Sequence, residues 1–319
     1  MKTRVAQAAF LSVVFLLVTG SLPLPAPAQE FRASITGVVM DPSGAPVEGV
    51  DVVVTSVERN TTTEARTNSA GRYLVQFLLP GTYNLRVEKA GFKRFTQSGI
   101  KLDVQQVRAI DVELAVGDVS TTVQVEGAPP PLATSTSTLA TVIENKRILD
   151  LPLNGRNPFA LATLTPGVIP GSGSTPWISG GRNATSEITI DGTSVILPEN
   201  NVSINTLAYT PSVDAVQEFS VLTNALAAEY GRTGGGVINV ATRQGTNQLH
   251  GSAFEFLRNS ELDANGFFRN RALIPRSALQ RNQFGGTLGG PILAPNFYDG
   301  RNRSFFFFDY QGTRPRSAS

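Results

Sequence analysis

The chain has no cysteine and a single histidine, His250. Without thiols it holds no disulfide, no thiolate nucleophile and no Cys-ligated metal. One histidine cannot assemble the cluster of imidazoles and carboxylates around an open position that a hydrolytic zinc centre needs. Neither a Gly-x-Ser-x-Gly elbow nor a His-Glu-x-x-His helix is present. The residues therefore read as a non-enzyme, with no cofactor or metal site expected. Charge of one sign is also lacking. The formal net charge of +2 disappears once Lys2 and Arg4 are assigned to a cleaved leader, so the basic sequence pI gives no argument for a nucleic-acid partner. The apolar run Ala8 to Val18 is short for a membrane span of about 20 residues, and Pro23, Pro25 and Pro27 follow it.

What is present is glycine, 30 residues of it, with only 16% charged residues, a profile that fits an exported, turn-rich β protein. Residues 1–28 read as a signal peptide: Lys2 and Arg4 supply the positive start, Ala8 to Val18 the apolar centre, and Ala26-Pro27-Ala28 the small-x-small cleavage pattern. Residues 29–116 read as a small β-sandwich. Strands are expected at Ile35–Met40, Val50–Val57, Thr61–Thr67 as a polar edge, Arg72–Phe77, and one that starts in Leu79–Tyr83 and ends at Lys89–Phe92. Turn residues such as Asp41-Pro42-Ser43-Gly44 and Asn68-Ser69-Ala70-Gly71 separate them. The aromatics Tyr73, Phe77, Tyr83, Phe92 and Phe95 are assigned to core and edge. The stretches GVVMDPSGAPVEGVDV and TNSAGRYLVQFLLPGTYNLRVEKAGF resemble the carboxypeptidase regulatory-like domain. That resemblance implies a fold also used for carbohydrate binding.

Residues 117–137 form a connector rich in Pro, Ser and Thr. Within it Thr121, Thr122, Val123, Gln124 and Val125 alternate as a strand does. They admit two readings: the last strand of the sandwich, or a short extended segment that a partner captures by strand addition.

Residues 138–247 read as a mixed α+β unit. A short helix is expected before Pro152, followed by Leu151-Pro152-Leu153-Asn154-Gly155-Arg156-Asn157. Gly181-Arg182 leads into Ser186–Ile190, and Asp191-Gly192 is a hairpin signal. A loop is expected over Ile196–Tyr209. From Pro211 the chain reads as a strand at Val216–Leu222, a short helix at Asn224–Tyr230 with Asn224 as N-cap and Gly231 as its left-handed stop, a turn at Gly234-Gly235-Gly236, and a strand at Val237–Thr242. Arg156, Arg182 and Arg232 are candidates for salt bridges to a following barrel, or else solvated turn charges. Asn60, Asn183, Asn201 and Asn302 sit in Asn-x-Ser/Thr sequons.

Residues 248–319 supply strand candidates at Leu249–Leu257, Gln283–Leu293 and Arg303–Tyr310. The alternation suits barrel strands of about 9–11 residues, except for the run Phe305–Phe308, which fits an aromatic girdle or burial on both faces. The segments LPLNGRN, EYGR with GGGVINV, NQFGGTLGGPI and SFFFFDYQGTR, in this order, resemble TonB-dependent outer-membrane receptors, in particular the Oar-like branch. The resemblance implies a plug at 138–247 with a motif of Arg156, Gly181, Arg182, Asp191, Gly192, Tyr230, Gly231, Arg232, Gly235 and Gly236. It implies a TonB box at Thr121–Val125 and the first strands of an incomplete transmembrane β-barrel at 248–319. It also implies TonB, outer-membrane lipid and an unknown small ligand or oligosaccharide as partners, and an outer-membrane location with sandwich and plug facing the periplasm. Closed single-chain barrels have at least about eight strands, so the chain reads as the N-terminal part of a larger receptor. The rival reading is an exported carbohydrate-binding or adhesion protein that works through the sandwich.

Overall fold

The computed structural model describes residues 30–119, 121–126, 139–171, 176–181, 185–197, 207–224, 226, 230–231 and 233–317. The expected signal peptide, Arg182 and Arg232 lie outside these residues. The chain is mostly β. Its first unit holds β1 (Ala33–Met40), β2 (Asp51–Ser56), β3 (Thr62–Arg66), β4 (Arg72–Leu78), β5 (Gly81–Glu88), β6 (Arg94–Leu102), β7 (Val107–Ala109), β8 (Val112–Glu113) and β9 (Thr122–Glu126). One sheet has the order β4-β1-β7, with β8 also on β1; the other has the order β3-β2-β5-β6-β9. Strict alternation of buried and half-buried residues along β1 shows one face turned to the core, as a period of two requires. Ile35, Val52, Val54, Leu85, Val87, Ile100 and Leu114 fill the space between the sheets. Tyr73 is buried with them and donates to the Ile110 carbonyl at 2.7 Å. Phe77, in contrast, is exposed, with a φ of 64°.

The second unit contains β10 (Leu139–Glu144), a helix over Asn145–Asp150, a 3-10 turn over Pro158–Leu164, β11 (Val168–Ile169), β12 (Trp177–Ile178), β13 (Glu187–Ile190), β14 (Thr193–Ser194), β15 (Val216–Asn224) and β16 (Val237–Thr242). Its main sheet runs β10-β15-β16-β13-β14, with only the β13–β16 pair parallel. Asp191 (φ 48°) and Gly192 (φ 80°) form the β13–β14 turn, as the Asp-Gly pair predicts. The Asp191 carboxylate also ties the turn to β16, accepting from Thr242 N at 3.0 Å and from its hydroxyl at 2.6 Å. Phe159, Phe219, Ile143, Ile148, Ile178, Ile188 and Ile238 pack the core on one side of this sheet. Gly236 is required by closeness: a Cβ there would collide with the Ile178 side chain and the Leu222 carbonyl.

Two expectations for this unit need correction. Asn224 does not cap a helix; it is the last residue of β15, pairing with Leu139. Gly231 is not in the left-handed region. Strand pairing with β10 carries β15 through Asn224, and residues 225 and 227–229 lie outside the described residues. The strand is also not half-buried. Val216, Glu218, Phe219, Ser220, Val221 and Leu222 are all buried, polar residues included.

The last segment is an antiparallel meander of β17 (His250–Asn259), β18 (Leu279–Pro291) and β21 (Phe305–Ser317), with a small hairpin of β19 (Leu293–Ala294) and β20 (Tyr298–Asp299) between the last two. Register puts Ser252, Thr287 and Asp309 in one row and Gly251, Leu288 and Phe308 in the next. The first row faces the second unit, since Asp309 meets Ser212 there at 2.7 Å. The second therefore points away, where Leu288, Phe308 and Tyr310 are exposed. The four-phenylalanine run divides between the two faces by alternation.

Trp177, the sole tryptophan, lies in the second unit and reports on it alone. Phe219 is fully buried beneath the main sheet. Phe219→Ala is expected to lower the stability of this unit by about 3–5 kcal/mol. Urea titration followed by Trp177 fluorescence checks this through a lowered midpoint.

Candidate functional site

The turn Leu153–Arg156 is the best-anchored feature between the second unit and the meander. Gly155 (φ 85°) and Arg156 (φ 53°) both take left-handed conformations, which bends the chain sharply. Each residue of Asn154–Asn157 then meets a partner. Asn154 accepts from Arg258 Nη1 of β17 at 2.6 Å. The Gly155 carbonyl accepts from Gln283 Nε2 of β18 at 3.2 Å. Asn157 accepts from Phe159 N at 3.0 Å and starts the 3-10 turn that buries Phe159.

Arg156 is the centre of this arrangement. Its Nη2 donates to Asp214 Oδ2 at 2.6 Å, with both side chains only 12% exposed. Its guanidinium lies 3.9 Å from the Phe256 ring centroid and 5.0 Å from that of Phe254, both on β17. A desolvated guanidinium over aromatic rings is held by cation–π attraction as well as by its carboxylate. The expectation of a salt bridge from Arg156 to the barrel is corrected in its detail. The ion pair is internal to the second unit, and the meander contributes rings. Asp214 is positioned by a short 3-10 turn, Val213–Ala215, whose cap Ser212 accepts from Ala215 N at 3.0 Å and donates to Asp309 on β21.

A second contact joins the sandwich to the far face of the main sheet. The turn after β6 inserts Asp103, Val104 and Gln105. Val104 N donates to the Glu218 carboxylate. Gln105, held at φ 59°, accepts from Asn239 Nδ2 through Oε1 and donates to the Tyr230 hydroxyl at 2.5 Å. Asn239 in turn accepts from the Thr189 hydroxyl at 2.5 Å. Lys101 pairs with Glu144 across the same boundary. Burial, reinforced by the nearby Asp103 charge, pushes the Glu218 carboxyl up to about 7. Elsewhere the Glu58–Arg59 turn of the sandwich holds Gly245–Asn247, with Asn247 Nδ2 donating to the Arg59 carbonyl at 2.7 Å.

Of the residues singled out by sequence, Thr122 to Val125 lie in β9, an edge strand pairing in parallel with Arg94–Ser98 of β6; Thr121 precedes it. Gly181, Gly235 and Gly236 all lie against Ile178, where an added Cβ would crowd Ile178 and, for the first two, Thr185. Tyr230 joins the polar contact through its hydroxyl. Glu218, Asn239, Gln105 and Asp214 were not singled out. A polar residue in an alternating strand looks solvated, and only long-range packing shows otherwise.

With this geometry in hand, relatives define the class. Residues 34–115 match the carboxypeptidase regulatory-like domain. Residues 241–319 match the outer membrane beta barrel domain. The chain thus joins a segment that matches the regulatory-like domain to one that matches outer-membrane barrel strands. It is similar to the TonB-dependent transporter Oar of Myxococcus xanthus, 31% identical over 300 residues, which are 90% of this chain. The match spans 28% of that protein's length, a little over a quarter. Similar solved structures include the ferric enterobactin receptor PfeA of Pseudomonas aeruginosa (R480A mutant, 20% identity, TM-score 0.40, 58% of this chain and 26% of that one). Another is the siderophore receptor PirA of Acinetobacter baumannii (21% identity, TM-score 0.39, 56% and 24%).

Arg156→Ala leaves Asp214 buried without its cation and is expected to cost about 3–5 kcal/mol. Adding Asp214→Asn removes the stranded charge, so the double variant is expected to be more stable than Arg156→Ala alone. Trp177-monitored unfolding of the single and double variants checks the order.

Proposed function

We propose that this chain forms the N-terminal part of a TonB-dependent outer-membrane transporter in which residues 138–247 are the plug. The signal peptide (1–28) directs export, the sandwich (29–116) faces the periplasm, and residues 117–137 carry the segment that TonB captures. Residues 248–319 begin the barrel. Ligand binds on the outer side, TonB pulls on the captured segment, and the plug is locally remodelled so that substrate passes. No bond is made or broken. The observation that carries this reading is the Arg156 anchor. It fixes the central sheet against the inward face of the barrel strands through contacts that water can replace one at a time.

The plug motif supports the same reading in physical terms. Asn154, Gly155 and Arg156 all bind barrel strands, so displacing this one turn loosens the plug from the wall. The strand Thr122–Glu126 is held on a sheet edge by backbone pairing, and strand exchange with a partner needs only backbone groups. The rival carbohydrate-binding reading gains nothing from the sandwich aromatics. Tyr73 and Tyr83 are buried, and Phe92 and Phe95 pack against the core.

The test uses cysteine scanning, which the cysteine-free sequence makes clean. Single cysteines at Thr121, Thr122, Val123, Gln124 and Val125 are expected to form disulfides with cysteines in the periplasmic domain of TonB in energised cells. Cysteines on the opposite sandwich edge, at Thr62 and Glu64, are expected to give none. Equal crosslinking at both edges, or none at either, would overturn the assignment of the captured segment.

A further inference from the structure

We propose that the sandwich is a removable cover over the polar face of the plug sheet, and that the proton held by Glu218 determines when it lifts. The inference rests on interdomain contacts alone and stands whether or not TonB captures residues 121–125.

The main sheet has one apolar face and one polar face. Register places Glu187 and Thr189 of β13, Asn239 of β16, and Ser220 and Glu218 of β15 on the side opposite Ile188, Ile238, Phe219 and Val221. All five polar residues are buried. A buried polar row is stable only if its groups find partners. Gln105 serves Asn239, Val104 N serves Glu218, and both come from one turn of the sandwich. Satisfaction is incomplete. Ser220 Oγ and Asp103 Oδ1 are buried without a hydrogen-bond partner. This contact is therefore closed against water but weakly held, unlike the dry sheet face behind it.

Charge makes it sensitive to protons. The charged groups around Glu218 are Asp103 and Lys101 from the sandwich and Glu144 from β10. Arg108 stands near Asp103 and bonds the Lys101 carbonyl at 3.1 Å, while Arg147 lies near Glu144. The Lys101 ammonium is 3.5 Å from Asp103 Oδ1 and pairs with Glu144 as well. What disfavours the ionised form is burial first and the Asp103 carboxylate second: Glu218 is 4% exposed, and its charge would be placed away from water beside a like charge. The covered state keeps this proton up to about pH 7, whereas a solvated glutamate loses it near 4.5. Covering is therefore strongest at and below the ordinary glutamate range. It weakens as pH rises toward 7 and levels off above, by on the order of a hundredfold in the docking equilibrium.

The experiment uses the full-length protein in outer-membrane vesicles, spin-labelled at Ser43→Cys in the sandwich and Thr193→Cys in the plug. Both sites are exposed. Double electron–electron resonance is recorded at pH 5 and pH 8.5. The expected result is one narrow distance at pH 5 and, at pH 8.5, a longer population at least tenfold larger than at pH 5. Glu218→Gln, which keeps shape and removes the charge, is expected to stay narrow at both pH values. Asp103→Asn, which removes a neighbouring negative charge, is expected to move the transition to lower pH. Identical distributions at both pH values in the unsubstituted protein would overturn the proposal. So would a pH response that persists in Glu218→Gln, since the proton would then lie elsewhere.

Discussion

The main sheet of the second unit is buried on two sides but apolar on only one, and the rest of the architecture answers to that. A sheet that presents Glu187, Thr189, Ser220, Glu218 and Asn239 to a buried face needs donors and acceptors brought to it. The sandwich supplies them from a single turn. That turn holds a non-glycine residue, Gln105, in the left-handed region, a conformation that persists only when surrounding contacts fix it. The sandwich thus completes the buried polar face of the second unit, although its own core is complete without that unit.

The opposite boundary is organised by one cation. Arg156 sits between Asp214 in its own unit and two phenylalanines on the first barrel strand. Around it, Asn154, the Gly155 carbonyl and Ser212 make single hydrogen bonds to three different strands of the meander. Such a boundary resists sliding yet lacks an apolar seal.

Much of the strand framework was legible in the sequence. Alternation and turn chemistry marked the first five sandwich strands, the Asp191-Gly192 hairpin and the strand at Val237–Thr242, because each is set by local periodicity and backbone conformation. The strand at Arg94–Leu102 was not legible; Thr121–Val125 read as either the last sandwich strand or a captured segment, and Thr122–Glu126 does pair with the sandwich, in parallel, a register that carries no local signal. Asn224, expected as a helix N-cap, is instead the last residue of β15, because pairing with β10 extends the strand through it. Arg156 stood out in its motif, but its partners did not. Asp214 is far along the chain, and rings on an alternating strand do not show which face they choose. Glu218 read as the solvent side of a strand; periodicity separates two faces but does not tell a solvated polar face from a covered one.

The most direct test of the account is amide hydrogen exchange on the whole protein, comparing the natural sequence with Gln105→Gly. Glycine accepts the backbone conformation at this position and removes the side chain that reaches Asn239 and Tyr230. The account predicts that amides of Glu218–Leu222 and Asn239–Ala241 exchange at least about tenfold faster in the variant, while those of the sandwich core strands keep their rates. Unchanged protection of both strands would show that the sheet does not depend on its cover, and would contradict the account.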